Sequence, residues 1–353
     1  MKKILLYIAV WVLFFPLSAQ VVSTAVPFLT IGPDARGAGM GQVGAATKAD
    51  VYSAFYNPAK YAFVKERGGV ALSYVPWMRD LTSDLNLWSL NSFYRIDDKQ
   101  TVALSGRFFT SGDYVFMNES GEEIGTDSPT DFALNVSWSR CFGKYFSAAL
   151  GIGMVHSSLG EASVDGKNIE SANAFLADIS VLYNRDLTVC DRKAHWGVGL
   201  HISNVGTKMN YIEQGEDSFL PANLRLGGAF DMDLCTDHHL MLAVDFTKLL
   251  VEGPDADGRL SDKSVFGSAL SSFGSDNSPI TWALGLEYNW KKMVFLRTGY
   301  QDPTEKSGQT RLFTTGVGGS YQGISLDCSY WLPVGTDDSP LKNSLKVSLA
   351  YCF

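Results

Sequence analysis

Residues 132–154 read FALNVSWSRCFGKYFSAALGIGM, and this stretch decides the fold class. Apolar residues stand at every second position from Phe132 to Trp138 and again from Phe146 to Met154, with mostly small or polar residues between them. A period of two over about ten residues is typical of a tilted strand that crosses a bilayer with one face toward hydrocarbon. The stretch therefore predicts two transmembrane β-strands joined by a short turn at Gly143.

The same unit repeats along the rest of the chain. Alternating apolar positions recur over 175–183, 240–246 and 282–290. We expect an all-β fold, a closed antiparallel barrel of about fourteen strands, an even number as in bacterial outer-membrane barrels. The predicted strands are residues 69–79, 84–96, 100–111, 129–142, 145–158, 173–186, 195–205, 221–233, 238–249, 279–291, 293–302, 309–321, 323–333 and 341–353.

The connections between these strands alternate between short and long. Most short ones hold only one to three residues, as at 97–99, whereas long ones include 112–128, 159–172, 206–220 and 250–278. Short periplasmic turns and long extracellular loops are typical of outer-membrane barrels, whereas a soluble β-sandwich does not predict this alternation. The last strand ends on Phe353, an arrangement that resembles the signal by which barrels are recognised for assembly.

The beginning of the chain is typical of a secretory signal. Lys2 and Lys3 precede an apolar run over 4–15, and Ala19 is the expected last residue before cleavage. An uncleaved anchor helix is the alternative. No later stretch holds about eighteen consecutive apolar residues, so a helical membrane protein is not expected. The predicted domains are a signal peptide over 1–19, an N-terminal hatch over 20–68 and a transmembrane barrel over 69–353.

Charge and cysteine spacing exclude several classes of function. The formal net charge is −8 without basic runs, which argues against nucleic acid as a partner. Five cysteines form no C-x-x-C pair, so neither a zinc ribbon nor a redox motif is indicated. A disulfide between Cys190 and Cys235 stays open at this point.

Catalytic and cofactor motifs give no support to an enzyme. Gly39, Gly41 and Gly44 fit G-x-G-x-x-G, but no βαβ unit follows, and close packing of the hatch backbone explains them better. The adjacent His238 and His239 point to opposite faces of a strand, which disfavours a metal pair. We therefore expect no cofactor, no metal and no catalytic residues.

The second face of each strand carries charges that a lumen can accommodate. About fourteen strands enclose a lumen too wide for side chains alone, so we expect residues 20–68 to fold inward, with Arg36 meeting lumenal carboxylates. Balanced signs suggest paired contacts inside the barrel, and charges that only solvate a water-filled interior are the alternative. The predicted lumenal set is Arg107, Asp178, Arg225, Asp245, Glu287, Arg297, Asp327 and Lys346.

Three stretches carry a family resemblance. Residues 25–44 (AVPFLTIGPDARGAGMGQVG), 56–63 (YNPAKYAF) and 72–77 (LSYVPW) resemble PorV proteins, the outer-membrane shuttle and attachment component of the type IX secretion system of Bacteroidetes. The Asn57-Pro58-Ala59 element also resembles the wider family of long-chain fatty-acid transporters, which are fourteen-stranded barrels with a hatch. The likeness is dense over residues 25–95 and weaker further on.

The resemblance implies a role in secretion. It implies an outer-membrane protein that binds the C-terminal signal domain of secreted cargo at the giant translocon barrel and shuttles it to a sortase-containing attachment complex. No catalytic residue carries over. The alternative is a passive transporter of hydrophobic small molecules, which needs an apolar pocket inside the barrel. The lipid bilayer is a partner in both cases.

The longest loop, 250–278, is the best candidate for a partner-binding surface because it is unusually apolar. A second candidate is the 206–220 loop, and Trp77 of the first hairpin either extends the same rim or belongs to the aromatic belt at the membrane interface. The alternative is that these side chains pack the loops onto the barrel. The predicted partner-binding residues are Leu250, Val265, Phe266, Leu270, Phe273, Tyr211, Phe219 and Trp77.

Overall fold

The structure is a computed structural model. It describes residues 24–79, 84–117, 123–160, 163–164, 167–168, 170–212, 215, 217–252, 263–274, 280–303, 310–335, 339, 341–342 and 344–353. The predicted signal peptide lies outside these residues. No helix in the described part of the chain is long and apolar enough to cross a membrane.

Fourteen antiparallel strands close into one barrel, which confirms the predicted fold class. Each strand pairs with its neighbour in the chain, and the last pairs with the first. The strands are β1 Gly68–Pro76, β2 Asn86–Arg95, β3 Gln100–Thr110, β4 Thr130–Phe142, β5 Phe146–Ser158, β6 Ala172–Val189, β7 Arg192–Gly206, β8 Asn223–Cys235, β9 His238–Leu249, β10 Ile280–Trp290, β11 Val294–Pro303, β12 Arg311–Tyr321, β13 Ile324–Val334 and β14 Leu345–Cys352.

The two faces of the wall differ as the alternation predicts. On β9, Leu242 and Phe246 are exposed on the outside, whereas Met241, Ala243 and Asp245 are buried on the inside. Charges on the outside near the midplane of a bilayer would cost about 2–4 kcal/mol for Arg or Lys, so the polar set faces the lumen. The outer face of the wall is therefore suited to hydrocarbon.

Tight turns join the strands at one end of the barrel, which we call the short-turn end. Cys190 and Asp191 form the whole turn between β6 and β7, and both have positive φ. Such turns match the right-handed twist of paired strands. The predicted connection over 186–194 was too long, because both strands continue in register up to this turn. All five cysteines are free, so the Cys190–Cys235 disulfide left open by the sequence is not formed.

The barrel closes through its two terminal strands. β14 pairs with β1 from Cys352 opposite Gly69 to Val347 opposite Tyr74. Beyond this ladder, the N–H of Phe353 donates to Gly68 O at 2.9 Å, and the N–H of Gly68 donates back to Phe353 O at 3.1 Å. Closure removes the free strand edges that would otherwise pair with other chains.

The remaining regular elements are short helical turns that are not part of the barrel wall. They are a 3-10 turn Pro27–Thr30, helix α1 Ala35–Gly39, helix α2 Ser53–Tyr56, a 3-10 turn Pro58–Phe63 and helix α3 Val265–Ser271. Two small strand pairs in the longer loops were not predicted: Tyr114–Met117 with Glu123–Asp127, and Ser163–Val164 with Lys167–Asn168.

Candidate functional site

The N-terminal residues 24–67, which we call the hatch segment, lie in the lumen. The N–H of Ala35 donates to Ser348 Oγ of β14 at 2.8 Å, and the N–H of Ala59 donates to Ser180 Oγ of β6 at 3.1 Å. Only a segment inside the barrel can contact strands so far apart around the wall.

The hatch segment runs along the lumen from one end to the other. At the opposite end from the tight turns, which we call the long-loop end, the N–H of Ala25 donates to Phe219 O in the loop after β7. Near the short-turn end, the ring of Tyr61 packs on Phe93, with centroids 5.5 Å apart. The chain then enters β1 from the short-turn end.

Arg107 on β3 holds the first part of the hatch segment. Its guanidinium donates to Phe28 O at 2.7 Å, to Leu29 O at 2.9 Å and also to Ile31 O. The side chain is buried, and no carboxylate among the described residues lies within salt-bridge distance of it. The carbonyls at the end of a helical turn carry partial negative charge, and here they take the place of a carboxylate.

An apolar cluster surrounds this contact at the long-loop end. Residues 25–31 of the hatch segment contribute five apolar side chains, which pack against the inward faces of several strands. Burial of this kind contributes about 25 cal/mol per Å² of apolar surface. The buried members are Ala25, Val26, Phe28, Leu29, Ile31, Val75, Leu87, Ala133, Val155, Ala172, Ala174, Leu176, Met209 and Leu220.

Arg225 and Asp245 form a second attachment midway along the hatch segment. Asp245 Oδ2 accepts from the N–H of Gly44 at 2.8 Å and from the N–H of Ala45 at 3.0 Å. Arg225 donates to Gln42 O at 2.8 Å and to Asp245 Oδ2 at 3.2 Å. The barrel thus binds the hatch backbone at donors and acceptors alike.

A row of alternating charges forms the third attachment. Asp50 and Arg36 of the hatch segment are 2.6 Å apart, and Arg36 continues to Glu287 of β10 at 3.1 Å. Glu287 also binds Arg297 at 2.7 Å, which in turn binds Asp327 at 2.6 Å. In this row, which we call the charge ladder, each of the three inner members meets an opposite charge on both sides, and each end member meets one. Removal of one member would leave buried charges unpaired.

Asp34 and Lys346 fix the segment between these attachments. Asp34 Oδ2 accepts from the N–H of Gly37 at 2.6 Å and so caps α1. Burial raises the pKa of Asp34 from 3.8 to about 6, with a further contribution from the nearby charge of Asp50. Lys346 Nζ donates to Gly32 O at 3.2 Å.

Asp178 lies apart from the hatch segment. Its carboxylate accepts from Asn135 Nδ2 at 2.6 Å and from the N–H of Asn204 at 2.7 Å. The register between β6 and β7 shifts at this position. Of the predicted lumenal set, Arg107, Asp178 and Lys346 are therefore bonded without an ion pair, whereas the ladder residues and Arg225 with Asp245 form ion pairs.

Sequence reasoning missed Asn57 and His201. Asn57 Nδ2 donates to Ala45 O at 2.8 Å within the hatch segment and to Val181 O of β6 at 3.0 Å. His201 Nδ1 lies 3.1 Å from Tyr56 O. The Asn-Pro dipeptide at 57–58 was a signal for Asn57, because such dipeptides mark turns. His201 carries no comparable signal.

Close backbone packing explains the G-x-G-x-x-G match. Gly41 has φ +70°, and a Cβ there would lie 2.9 Å from the backbone N and O of Tyr300. A Cβ on Gly299 would lie 2.2 Å from Gly41 N. Only glycine allows the hatch segment to approach the wall this closely.

A cavity of about 300 Å³ opens at the short-turn end. The charge ladder forms one side of it, and both charged side chains such as Lys48 and Asp231 and aromatic ones such as Phe93 and Phe295 line the rest. The described residues hold no group of three or more His, Cys, Asp or Glu that could bind a metal ion.

Half of the predicted partner-binding residues are packed into the rim. Leu250 and Phe219 are buried, and Tyr211 and Trp77 are half-buried against the apolar cluster at the long-loop end. Trp77 also packs edge-on against Trp331, with ring centroids 5.9 Å apart. These four side chains pack the loops onto the barrel, which was the alternative to a partner-binding surface.

The other four residues lie on or beside α3. Phe266 and Leu270 are each 76% exposed and Phe273 is 61% exposed, while Val265 is half-buried. Large apolar side chains at this exposure usually mark a surface that contacts something else. They make α3 an exposed apolar surface at the long-loop end that a partner can reach.

Comparison with protein families identifies the chain. The family model described as type IX secretion system protein PorV matches residues 17–256, more than half of the sequence. The chain belongs to the PorV family. A comparison with curated proteins gave no match.

Solved structures share the fold of this PorV-family chain. The toluene transporter TbuX of Ralstonia pickettii is 12% identical, with a TM-score of 0.53 over 91% of this chain and 97% of that one. The toluene transporter TodX of Pseudomonas putida is 10% identical, with a TM-score of 0.53 over 92% and 98%. The TodX deltaS2S3 mutant, a monoaromatic hydrocarbon channel, is 11% identical, with a TM-score of 0.57 over 91% and 98%. At these identities the likeness shows the fold alone.

The family and the fold together show in which membrane the protein lies. A closed barrel with an apolar outer face, in a family of secretion-system proteins, is an outer-membrane component of type IX secretion. The predicted family and location are thereby confirmed. In barrels of this kind the long loops usually face the outside of the cell and the short turns face the periplasm.

Proposed function

We propose that this PorV-family barrel binds the C-terminal signal domain of secreted cargo at the translocon and carries it to the cell-surface attachment complex. The observation that supports this is a lumen occupied by the hatch segment. Arg107, Asp245 and Glu287, on three separate strands, all bond to it. A barrel filled in this way fits a docking component better than an open conduit.

The partner surface in this proposal is the long-loop end. The exposed face of Phe266, Leu270 and Phe273 supplies apolar contact, with Val265 at its edge. Leu250, Phe219, Tyr211 and Trp77 would act indirectly, since they hold the loops that carry this surface. The charge ladder and Arg107 would keep the hatch in place while cargo is handled.

A passive transporter of hydrophobic solutes is the second candidate. Its support is the fold that the chain shares with toluene transporters. The apolar cluster at the long-loop end resembles a solute pocket in its chemistry, but residues 25–31 of the chain itself fill it. The secretion role is therefore the better supported of the two.

Affinity purification of the native barrel separates the candidates. Co-purification of a much larger barrel, and of secreted proteins that end in β-rich domains, is the result expected for the secretion role. Recovery of the barrel alone, with a bound hydrophobic small molecule, would favour transport and refute the proposal. Both fractions can be read by mass spectrometry of proteins and of extracted small molecules.

Deletion of residues 255–275 tests the partner surface. The deletion removes α3 and leaves β9 and β10 intact, so we expect normal barrel assembly and loss of cargo at the cell surface. A matched deletion of 161–168, in the loop after β5, controls for loop shortening. Normal cargo delivery without 255–275 would show that this loop is not the partner surface.

A further inference from the structure

Helix α3 turns its polar side toward the protein. Ser264 caps its first turn, because Ser264 Oγ accepts from the N–H of Gly267 at 3.2 Å. Ser268 and Ser272 are fully buried on the inner side, and Ser268 Oγ accepts from the N–H of Glu252 at 2.9 Å. The hydroxyl of Ser268 therefore attaches the helix to the chain just beyond β9.

The outer side of α3 carries the large apolar side chains. Phe266 and Leu270 lie four residues apart on α3, and Phe273, two residues beyond its end, continues the i, i+4, i+7 spacing that places residues on one face of a helix. A surface helix normally buries such a stripe in the protein. Here the pattern is reversed, so the stripe faces whatever surrounds the barrel at this level.

Lys248 shows on which side of the wall the stripe lies. Lys248 shares the outward face of β9 with Phe246, because residues two apart on a strand point the same way. The ring centroid of Phe273 is 5.5 Å from Lys248 Nζ. The end of the stripe therefore lies over the outside of the wall, away from the lumen.

The lipid-facing side chains of the wall continue up to this point. Lys248 is paired with Ile280 of β10, and Phe246 is paired with Trp282. Phe246, Ile280 and Trp282 are all exposed on the outer face. A lysine above an apolar row can bury its stem and raise its ammonium group to the membrane surface. The stripe of α3 thus extends the lipid-facing row beyond the ends of the strands.

We propose that α3 is a membrane-surface anchor whose Phe266, Leu270 and Phe273 lie in the hydrocarbon boundary of the outer leaflet. Amphipathic helices in this position bury their apolar face about 5–10 Å into the boundary between headgroups and acyl chains. The contact belongs to the free barrel and does not depend on the proposed secretion function. It is compatible with that function, because a face held at the membrane surface can exchange lipid for a partner.

Fluorescence quenching by lipids tests the anchor. Phe266→Cys is labelled with an environment-sensitive nitrobenzoxadiazole dye in the full chain with Cys190→Ser and Cys235→Ser, and the protein is placed in phosphatidylcholine nanodiscs. Lipids with a nitroxide near the headgroup or deep in the chain serve as quenchers. Ile152→Cys, on the outer face of β5, is the lipid-exposed control, and Asp113→Cys, in an exposed loop, is the water-exposed control.

The expected result is strong quenching at position 266 by the shallow nitroxide and weaker quenching by the deep one, with a blue-shifted emission. Quenching no stronger than at position 113 would overturn the anchor, and so would protection that arises only with co-purified proteins. Phe273→Cys repeats the measurement at the other end of the stripe in case the first variant assembles poorly. Loss of cargo delivery in the loop deletion, without lipid contact at 266, would leave the secretion role standing and the anchor refuted.

Discussion

Glu287 is the central member of the charge ladder, and Glu287→Gln should loosen the hatch segment. Its carboxylate lies 3.1 Å from Arg36 Nε and 2.7 Å from Arg297 Nε, and all three side chains are almost completely buried. A glutamine keeps the shape but leaves two adjacent guanidinium groups with one carboxylate each. Loss of one partner from a buried charge pair costs about 3–5 kcal/mol, so we expect docking of the hatch segment to weaken by about that amount.

Hydrogen exchange of the backbone measures this loss directly. Because 1.4 kcal/mol is a factor of ten, exchange in residues 33–52 should become about 100- to 4,000-fold faster in Glu287→Gln. Heat-modifiable migration on gels should stay that of an assembled barrel, since the strand pairing of β10 does not involve the carboxylate.

Asp231→Asn is the matched control. Asp231 also binds the hatch segment to the wall, at 2.6 Å from Lys48 Nζ, but the lysine side chain is 55% exposed. Exposed pairs contribute about 0–1 kcal/mol, so exchange should change by less than about fivefold. Wild-type exchange in Glu287→Gln, or an equally large effect in Asp231→Asn, would refute the view that burial makes the ladder the main attachment.

Three further predictions address other contacts. Arg107→Met leaves three buried carbonyls without their donor, so backbone hydrogen exchange over residues 25–32 should become faster by an amount equivalent to about 3 kcal/mol, while residues 33–52 stay protected. Equal changes in both stretches would contradict this. The pKa of Asp34 is raised to about 6 when the hatch segment is docked, so undocking releases a proton at pH values between about 4 and 6. Docking of the hatch segment should therefore weaken as the pH rises from about 4 to 6, by on the order of 3 kcal/mol. Asp34→Asn should remove this pH dependence, and a pH dependence that is retained in the variant would exclude Asp34 as its source. Phe353→Asp should lower the yield of assembled barrel on heat-modifiability gels. The melting temperature of the barrel that does assemble should change little, because the closing hydrogen bonds to Gly68 are made by the backbone. An unchanged yield would show that the terminal aromatic residue is not part of the assembly signal.

The strands could be predicted because their signal is local. Alternation of apolar and polar residues needs only the period of two of an extended chain and a bilayer on one side. β9, for example, has the predicted bounds of 238–249. Both strand ends at the turn of Cys190 and Asp191 were predicted three residues short, because the polar residues around this turn resemble a loop although they continue the ladder.

The groups to which the lumenal charges bond could not be predicted from the sequence in the same way. Arg107 and Arg297 have the same sequence signature, a cation on the inward face of a strand, yet one binds carbonyls and the other binds carboxylates. The difference depends on which part of the hatch segment passes each position. That path is fixed by contacts between residues more than two hundred positions apart, such as Ala35 with Ser348.

The barrel, its number of strands, its inward charges and the family resemblance could all be derived from the amino-acid sequence, because each of these follows from a short-range pattern. Which apolar loop residues are buried and which are exposed depends on the folded protein. Leu250 and Phe266 are both large apolar residues of one loop, but the first packs into the rim and the second faces outward. Burial depends on what the folded wall brings alongside a residue, and its own neighbours in the chain do not encode that.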